Sequence, residues 1–228
     1  MKTLTVGRVF TIVVLLGALV WQGIQAYGGR PSELKGEFPK PAMDEAVSPN
    51  SKEEIAVFAG GCFWGTQAVF QHVRGVKHVT SGYSGGTVPN PRYELVSAGD
   101  TGHAESIRIT YDPRKVTYGT LLMVFFSVAH DPTQKNRQGP DIGTQYRSIV
   151  FHTNEEQRKI AAAYIAQIDA AKVYSRPIVT ELIAYSAFYK AEDYHQDYLN
   201  QHPDNPYIQY NDLPKLRRLK ALYPSLYN

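Results

Sequence analysis

The chain has 228 residues, of which 43% are hydrophobic and 20% are charged, values typical of a globular protein rather than a disordered one. The net charge is only +3, and the single basic cluster, residues 215–220, fits the solvated face of a terminal helix better than a nucleic-acid-binding surface. We therefore expect no nucleic-acid partner.

The N-terminus has the form of an export signal. Two basic residues precede an apolar run over residues 9–21, a pattern typical of a secretory signal peptide. The run is short for a spanning helix, which needs about 20 apolar residues. Ile24 is large for a position just before a cleavage site at Ala26, so an uncleaved anchor stays open. We predict a signal peptide or membrane anchor over residues 1–26. The protein is expected to be exported to the bacterial periplasm, or anchored by the apolar run and facing outside.

A linker and one domain are predicted to follow. Residues 27–52 contain Gly, Pro, Ser and charged residues without periodicity, which predicts a linker. A single folded domain is then expected to span residues 53–228.

Hydrophobic patterns in the domain predict the order β-α-β-β-α-β-α-β. The predicted strands are residues 55–58, 76–83, 103–111, 147–152 and 178–183, and the predicted helices are residues 62–74, 118–129, the stretch after the Asn154 cap, 191–200 and 215–222. This order suggests an α+β fold, a two-layer ferredoxin-like plait with helices on one face of a mixed sheet. The loops at residues 87–102 and 130–145 are unusually long, which indicates a functional role.

The only cysteine lies at the first strand-to-helix junction, in Gly60-Gly-Cys-Phe-Trp-Gly65. The first turn of a helix presents unpaired N–H groups that stabilise a thiolate, the reactive form of cysteine. The glycines permit a sharp turn, and Phe63 and Trp64 supply an apolar wall. A lone cysteine could also be a small core residue, but these neighbours favour a reactive thiol at Cys62.

This motif resembles the nucleophile motif of the A-type peptide methionine sulfoxide reductases. The resemblance continues in order and covers roughly residues 53–225. The further matching motifs are Gly82-Tyr-Ser-Gly-Gly86, Asn90-Pro-Arg-Tyr93, Gly99-Asp-Thr-Gly-His-Ala-Glu105, Tyr111-Asp-Pro113, His130-Asp-Pro132, Asp141-Ile-Gly-Thr-Gln-Tyr-Arg147 and Ala191-Glu-Asp-Tyr-His195.

The resemblance implies thiol-dependent reduction of methionine S-sulfoxide, free or in proteins, and hence repair of oxidised proteins, without a metal or organic cofactor. Cys62 would attack the sulfoxide sulfur, giving a sulfenic acid and methionine, and Glu105 would protonate the sulfoxide oxygen. The resemblance also implies that the hydroxyl groups of Tyr93 and Tyr146 hold that oxygen. Asp141 would be the carboxylate near the nucleophile, and Phe63 and Trp64 would form the cage for the S-methyl group.

Each of these residues has a simpler explanation when taken singly. Glu105 could be the solvent-facing member of a strand, Asp141 could form a turn, and both tyrosines could be loop-packing aromatics. Other function classes also stay open. A Cys–His hydrolase would use His103, His130 or His195 as its base, and a non-catalytic domain would bind peptides through its tyrosine-rich loops. The seven histidines show no metal-ligand spacing.

The chain departs from many family members near its C-terminus. Some members carry further cysteines there, which resolve the sulfenic acid as a disulfide, but residues 201–228 contain none. The expected partner is therefore an external thiol reductant, thioredoxin-like or other.

Overall fold

The computed structural model describes residues 38–45 and 52–228. Its strands are β1 (Glu54–Ala59), β2 (Val76–Ser84), β3 (Ala104–Tyr111), β4 (Arg137–Gln138), β5 (Asp141–Ile142), β6 (Ile149–His152), β7 (Glu181–Ala184) and β8 (Phe188–Lys190). Its α-helices are α1 (Phe63–Gln71), α2 (Tyr93–Ser97), α3 (Tyr118–Val124), α4 (Glu155–Ala170), α5 (Tyr198–Gln201) and α6 (Leu213–Leu222).

Six strands form one mixed sheet in the order β7-β6-β1-β3-β2-β8. Every pair is antiparallel except β6 with β7. The inner strands follow the β-α-β-β-α-β order, which is compatible with a ferredoxin-like plait, and β7 and β8 extend its two edges. The predicted α+β class with a mixed sheet is confirmed.

Alternation along β1 separates the two faces of the sheet. Ala56 and Phe58 point into the main core, to which α1, α3, α4 and α6 contribute apolar side chains. Val57 and Ala59 belong to a smaller cluster on the opposite face, against which Phe188 packs. The helices therefore pack on one face. Of the predicted site residues, Cys62 lies in the turn after β1 and Glu105 lies at the start of β3.

Several short elements lie where the sequence predicts loops. The loop at 87–102 contains α2, the loop at 130–145 contains the β4–β5 hairpin, and β8 pairs with residues 82–84 at the sheet edge. Strand β7 begins at Glu181, three residues later than predicted. Elements of two to five residues carry too few side chains to show a period, and long-range pairing stabilises them.

Part of the predicted linker, residues 38–45, packs against the domain. Phe38 is 7% exposed and lies edge-on to the rings of Tyr164 and Tyr174, at 6.4 and 6.3 Å between centroids. The Tyr164 hydroxyl donates to the Pro39 carbonyl at 2.6 Å. The segment is too short to show a hydrophobic periodicity in the sequence, so its packing was not predicted. In the structure, one buried aromatic ring anchors it to the domain.

The same segment also caps a helix. An Asp44 carboxylate oxygen accepts the Gly119 N–H at 2.8 Å, and Glu45 accepts the Tyr118 N–H at 2.9 Å. Both N–H groups belong to the first turn of α3, where backbone donors lack partners within the helix. Residues 38–45 thus contribute both packing and capping to the domain.

We expect Phe38→Ala to lower the free energy of unfolding by about 3 kcal/mol, because a buried ring is lost from a packed site. Equilibrium unfolding in urea measures this change. Met43→Ala is the matched control in the same segment, since Met43 is 50% exposed and its loss should cost about 0.5 kcal/mol or less. Equal effects of the two changes would show that the segment is not docked.

The predicted signal peptide, residues 1–26, and most of the predicted linker lie outside the described residues. Within residues 38–45 and 52–228, no helix combines the length and apolar character needed to cross a membrane.

Candidate active site

Cys62 occupies the turn between β1 and α1, directly before the first helical residue, and is 8% exposed. Gly61 precedes it with a φ of +80°, a conformation that favours glycine. A Cβ atom at Gly61 would also lie 2.5 Å from Cγ of Gln138 in the β4–β5 hairpin. The glycine therefore permits both the turn and the close approach of the hairpin to Cys62.

The environment of Cys62 favours the thiol in the substrate-free protein. Burial is the largest cause that raises the pKa of the Cys62 thiol, followed by the charges of Glu105 and Asp212. The Trp64 backbone N–H and the Lys215 ammonium lower the pKa, but by less. The expected stabilisation of a thiolate by the helix N-terminus is therefore present but outweighed by burial and by the two carboxylates.

Glu105 lies on β3, is 3% exposed, and accepts the Phe63 N–H at 2.9 Å through Oε2. The solvent-facing alternative is therefore wrong. Burial, reinforced by the charges of Asp141 and Asp212, raises the pKa of Glu105 to about 8, although the Phe63 N–H acts against this. At neutral pH the side chain is mainly a neutral carboxylic acid, held against the residue that follows Cys62.

Tyr93 and Tyr146 are brought to the same site by the two long loops. Tyr93 begins α2, and Tyr146 ends the short 3₁₀ turn after β5. Burial and the charge of Glu105 raise the pKa of both phenols, that of Tyr93 to about 12, and the charge of Cys62 acts on both. Both hydroxyls therefore stay protonated and can donate hydrogen bonds beside Cys62 and Glu105.

Asp141 begins the second strand of the hairpin and is partly buried. Its Oδ2 accepts the Tyr207 hydroxyl at 2.5 Å, and burial raises the pKa of the carboxyl group. Sequence reasoning missed Tyr207, whose pKa is raised by burial and then by the charge of Cys62. No local signal distinguishes it from the other 15 tyrosines.

The two aromatic residues after Cys62 differ in accessibility. Phe63 is fully buried in the main core, 5.8 Å from Tyr83 between ring centroids. Trp64 is partly exposed and stacks on Tyr198 at 3.7 Å, with the planes 8° apart. Its indole N–H donates to Nδ1 of His195 at 3.1 Å, so the ring is fixed on two sides. Trp64 is thus the accessible apolar wall, and Phe63 packs behind it.

Glu192 is a second residue that sequence reasoning missed, although it belongs to the matched motif at 191–195. One of its oxygens accepts the Tyr83 hydroxyl at 2.8 Å, and the other accepts the Tyr93 N–H at 3.0 Å. The carboxylate therefore holds the start of α2, and with it the Tyr93 side chain, against β2.

The histidine geometry argues against a Cys–His hydrolase. His103 and His130 each engage both ring nitrogens with polar groups other than Cys62. His195 accepts the Trp64 N–H through Nδ1. Within the part of the chain that the structure describes, no histidine nitrogen forms a hydrogen bond with Cys62. Among the described residues, no histidine therefore lies where a Cys–His hydrolase needs its general base, within hydrogen-bond reach of Cys62.

Comparisons with known proteins point to one family. A sequence model of the family described as peptide methionine sulfoxide reductase matches residues 54–225. The chain is 60% identical over 186 residues to peptide methionine sulfoxide reductase MsrA 2 of Mesorhizobium japonicum, covering 82% of this chain and 94% of the relative. It is 54% identical over 188 residues to the MsrA 2 protein of Synechocystis sp., covering 82% and 88%.

Two solved structures share the fold. Reduced Mxr1 from Saccharomyces cerevisiae superposes with a TM-score of 0.62 and 33% identity, covering 70% of this chain and 91% of the yeast chain. Methionine sulfoxide reductase A of Corynebacterium diphtheriae superposes with a TM-score of 0.59 and 33% identity, covering 78% and 87%.

Proposed function

This chain belongs to the peptide methionine sulfoxide reductase family, and on that premise we propose that it reduces the S epimer of methionine sulfoxide by attack of Cys62. One observation carries the proposal. A buried carboxylic acid, Glu105, with a pKa of about 8, accepts the N–H of the residue next to the only cysteine. A nucleophile and a neutral acid thus lie together, as the reaction requires.

The chemical step transfers the sulfoxide oxygen to cysteine. The Cys62 sulfur attacks the sulfoxide sulfur, and Glu105 donates its proton to the oxygen, which is otherwise a poor leaving group. The hydroxyls of Tyr93 and Tyr146 stabilise the charge that develops on this oxygen. The sulfur–oxygen bond of the substrate then breaks. The hydroxyl group bonds to the cysteine sulfur as the sulfur–sulfur bond formed by the attack breaks. Two electrons have then passed from the cysteine sulfur to the methionine sulfur.

The protons balance over this step. Cys62 begins as a thiol, and the products are its sulfenic acid and methionine. The Glu105 proton forms the sulfenic hydroxyl group, and the proton lost by the thiol restores the carboxylic acid. Asp141 accepts a hydrogen bond from the Tyr207 hydroxyl beside the same site, and the two residues form part of its polar lining.

The aromatic residues account for substrate selection. The partly exposed Trp64 offers an apolar face to the S-methyl group, with Phe63 packed in the core behind it. With the methyl group on one side and the oxygen held by the tyrosines on the other, only one arrangement around the chiral sulfur suits the site. This supports selection of one epimer, free or within a protein, and a role in repairing oxidised proteins under oxidative stress.

The reductant must come from outside the chain. Cys62 is the only cysteine in 228 residues, so no second thiol of the chain can condense with the sulfenic acid. An external thiol, thioredoxin-like or other, would form a mixed disulfide with Cys62 and release water. A second thiol would then free the enzyme.

One turnover without reductant tests the function. With the two sulfoxide epimers supplied separately, we expect about one methionine per enzyme from the S epimer and almost none from the R epimer. Mass spectrometry should show one added oxygen on Cys62, and a dimedone probe should label it. Equal reduction of both epimers, or stoichiometric methionine with an unmodified thiol, would contradict the proposal.

We further propose that the protein is exported and acts in the bacterial periplasm, with residues 1–26 as a cleaved signal peptide or an uncleaved anchor. The apolar run behind two basic residues supports this. Cell fractionation with mass determination of the N-terminus separates the outcomes. A soluble periplasmic chain beginning near Tyr27 indicates cleavage, and an intact chain in the membrane fraction indicates an anchor. An intact chain in the cytosol would refute export.

A further inference from the structure

A buried ion pair lies against the helix that begins after the nucleophile. Asp212 is fully buried, and its Oδ1 accepts the Lys215 ammonium at 3.0 Å at the start of α6. A Cβ atom at Gly65 would lie 1.9 Å from this oxygen and 2.8 Å from the ammonium nitrogen. The pair therefore packs directly on the backbone of α1, and Gly65 is required for this approach.

The pair shares one side of α1 with Cys62. Residues three apart are neighbours on a helix surface, and Gly65 follows Cys62 by three positions. The other carboxylate oxygen of this aspartate, Asp212 Oδ2, is buried and has no hydrogen-bond partner in the described part of the chain. Burying such an oxygen costs free energy, and a group that is kept at such a cost calls for an explanation, of which a functional role is one.

We propose that Lys215 is a positioning residue for the nucleophile: Asp212 holds its ammonium against the first turn of α1, where it stabilises negative charge on the Cys62 sulfur. The inference rests on the proposed role of Cys62 and extends it. The thiol must lose its proton inside a buried, acidic site. A fixed cation on the same side of the helix lowers the free energy of the thiolate.

The charges around Cys62 show why this cation matters. Six of the described groups interact electrostatically with Cys62. They are Glu105 on β3, Asp212 before α6, Lys215 on α6, Tyr93 on α2, Tyr146 in the 3₁₀ turn after β5, and Tyr207 in the helical turn that precedes residues 208–212. Among these, Lys215 is the cation, and the others are acids or phenols. The two members of the pair act oppositely: Asp212 raises the pKa of Cys62, and Lys215 lowers it by a smaller amount.

The pH dependence of Cys62 alkylation by iodoacetamide tests the inference. Cys62 is the only thiol, so the readout needs no sulfoxide reduction and stays valid if the proposed function fails. We expect Lys215→Met to raise the midpoint by about one pH unit, because the stabilising cation is lost. Asp212→Asn should lower it by about one pH unit, because the opposing anion is lost while the ammonium remains.

The opposite directions separate an electrostatic role from a structural one. Either substitution breaks the ion pair, so a purely structural pair would give shifts in the same direction. Lys220→Met is the matched control. It removes one positive charge from an exposed position of the same helix, and its midpoint should stay at the parent value. A parent-like midpoint in Lys215→Met, or same-direction shifts in the two pair variants, would overturn the inference.

Circular dichroism verifies that each variant is folded. If Asp212→Asn fails to fold, comparison of Lys215→Met with Lys215→Arg decides. The arginine variant keeps the charge and should hold the midpoint near the parent value, while the methionine variant should not. Equal midpoints for these two would refute the role of the cation.

Discussion

Replacing Cys62 by serine is expected to lower the rate of methionine release by at least about 10⁴-fold, which is the scale of losing a nucleophile. Cys62 is the only thiol in the chain, and a hydroxyl group is a far weaker nucleophile towards sulfur than a thiolate. Serine is nearly the same size, so the fold should be retained at this position, which is 8% exposed.

Steady-state turnover with dithiothreitol and the S epimer measures the loss, and urea unfolding verifies that the variant is folded. Parent protein alkylated at Cys62 is a second inactive sample that keeps every other residue. Turnover of Cys62→Ser near the parent level would remove Cys62 from the mechanism and would favour a non-catalytic peptide-binding role.

Glu105→Gln is expected to slow single-turnover methionine release by about 10²–10⁴-fold, the usual size of general-acid assistance. Glutamine keeps an oxygen that can accept the Phe63 N–H but cannot donate an acidic proton. Glu94→Gln is the matched control, because Glu94 is an exposed carboxylate next to Tyr93 and its loss should leave the rate unchanged. An unchanged rate in Glu105→Gln would exclude the acid role.

The pH dependence of methionine release should also reveal the acid role of Glu105. Glu105 is protonated below its pKa of about 8 and ionised above it, so the rate of methionine release in the parent protein should fall as the pH rises through this value. In Glu105→Gln this decline should be lost. A parent profile without a decline near pH 8 would mean that another group donates the proton.

The raised pKa also predicts a change in stability. Because the folded-state pKa of Glu105 is about 8 and its ordinary value is 4.5, the folded state holds more protons than the unfolded state between these values. Stability should therefore decrease as the pH rises through this window. The Gln variant should lack this contribution, as urea unfolding at several pH values would show.

The sequence by itself determined the local features of this protein. Residues 55–58 form a short apolar run, residues 104–111 alternate, and residues 118–129 are apolar on nearly every side. These local patterns were enough to predict β1, β3 and the helix that begins as α3. The glycine-flanked position of Cys62 indicated a strand-to-helix turn for the same reason, because backbone constraints of neighbouring residues are local.

Only the tertiary structure decided how these features become a site. Lys215 and Tyr207 are about 150 residues from Cys62 in the sequence, and packing alone brings them to it. The acid character of Glu105 likewise requires burial, which depends on what covers the end of β3 and not on the residue type. The packing of Phe38 could not be predicted from the sequence either, because a single buried ring produces no hydrophobic periodicity. Only its contacts with α4 and the aromatic core distinguish it from a residue of a linker.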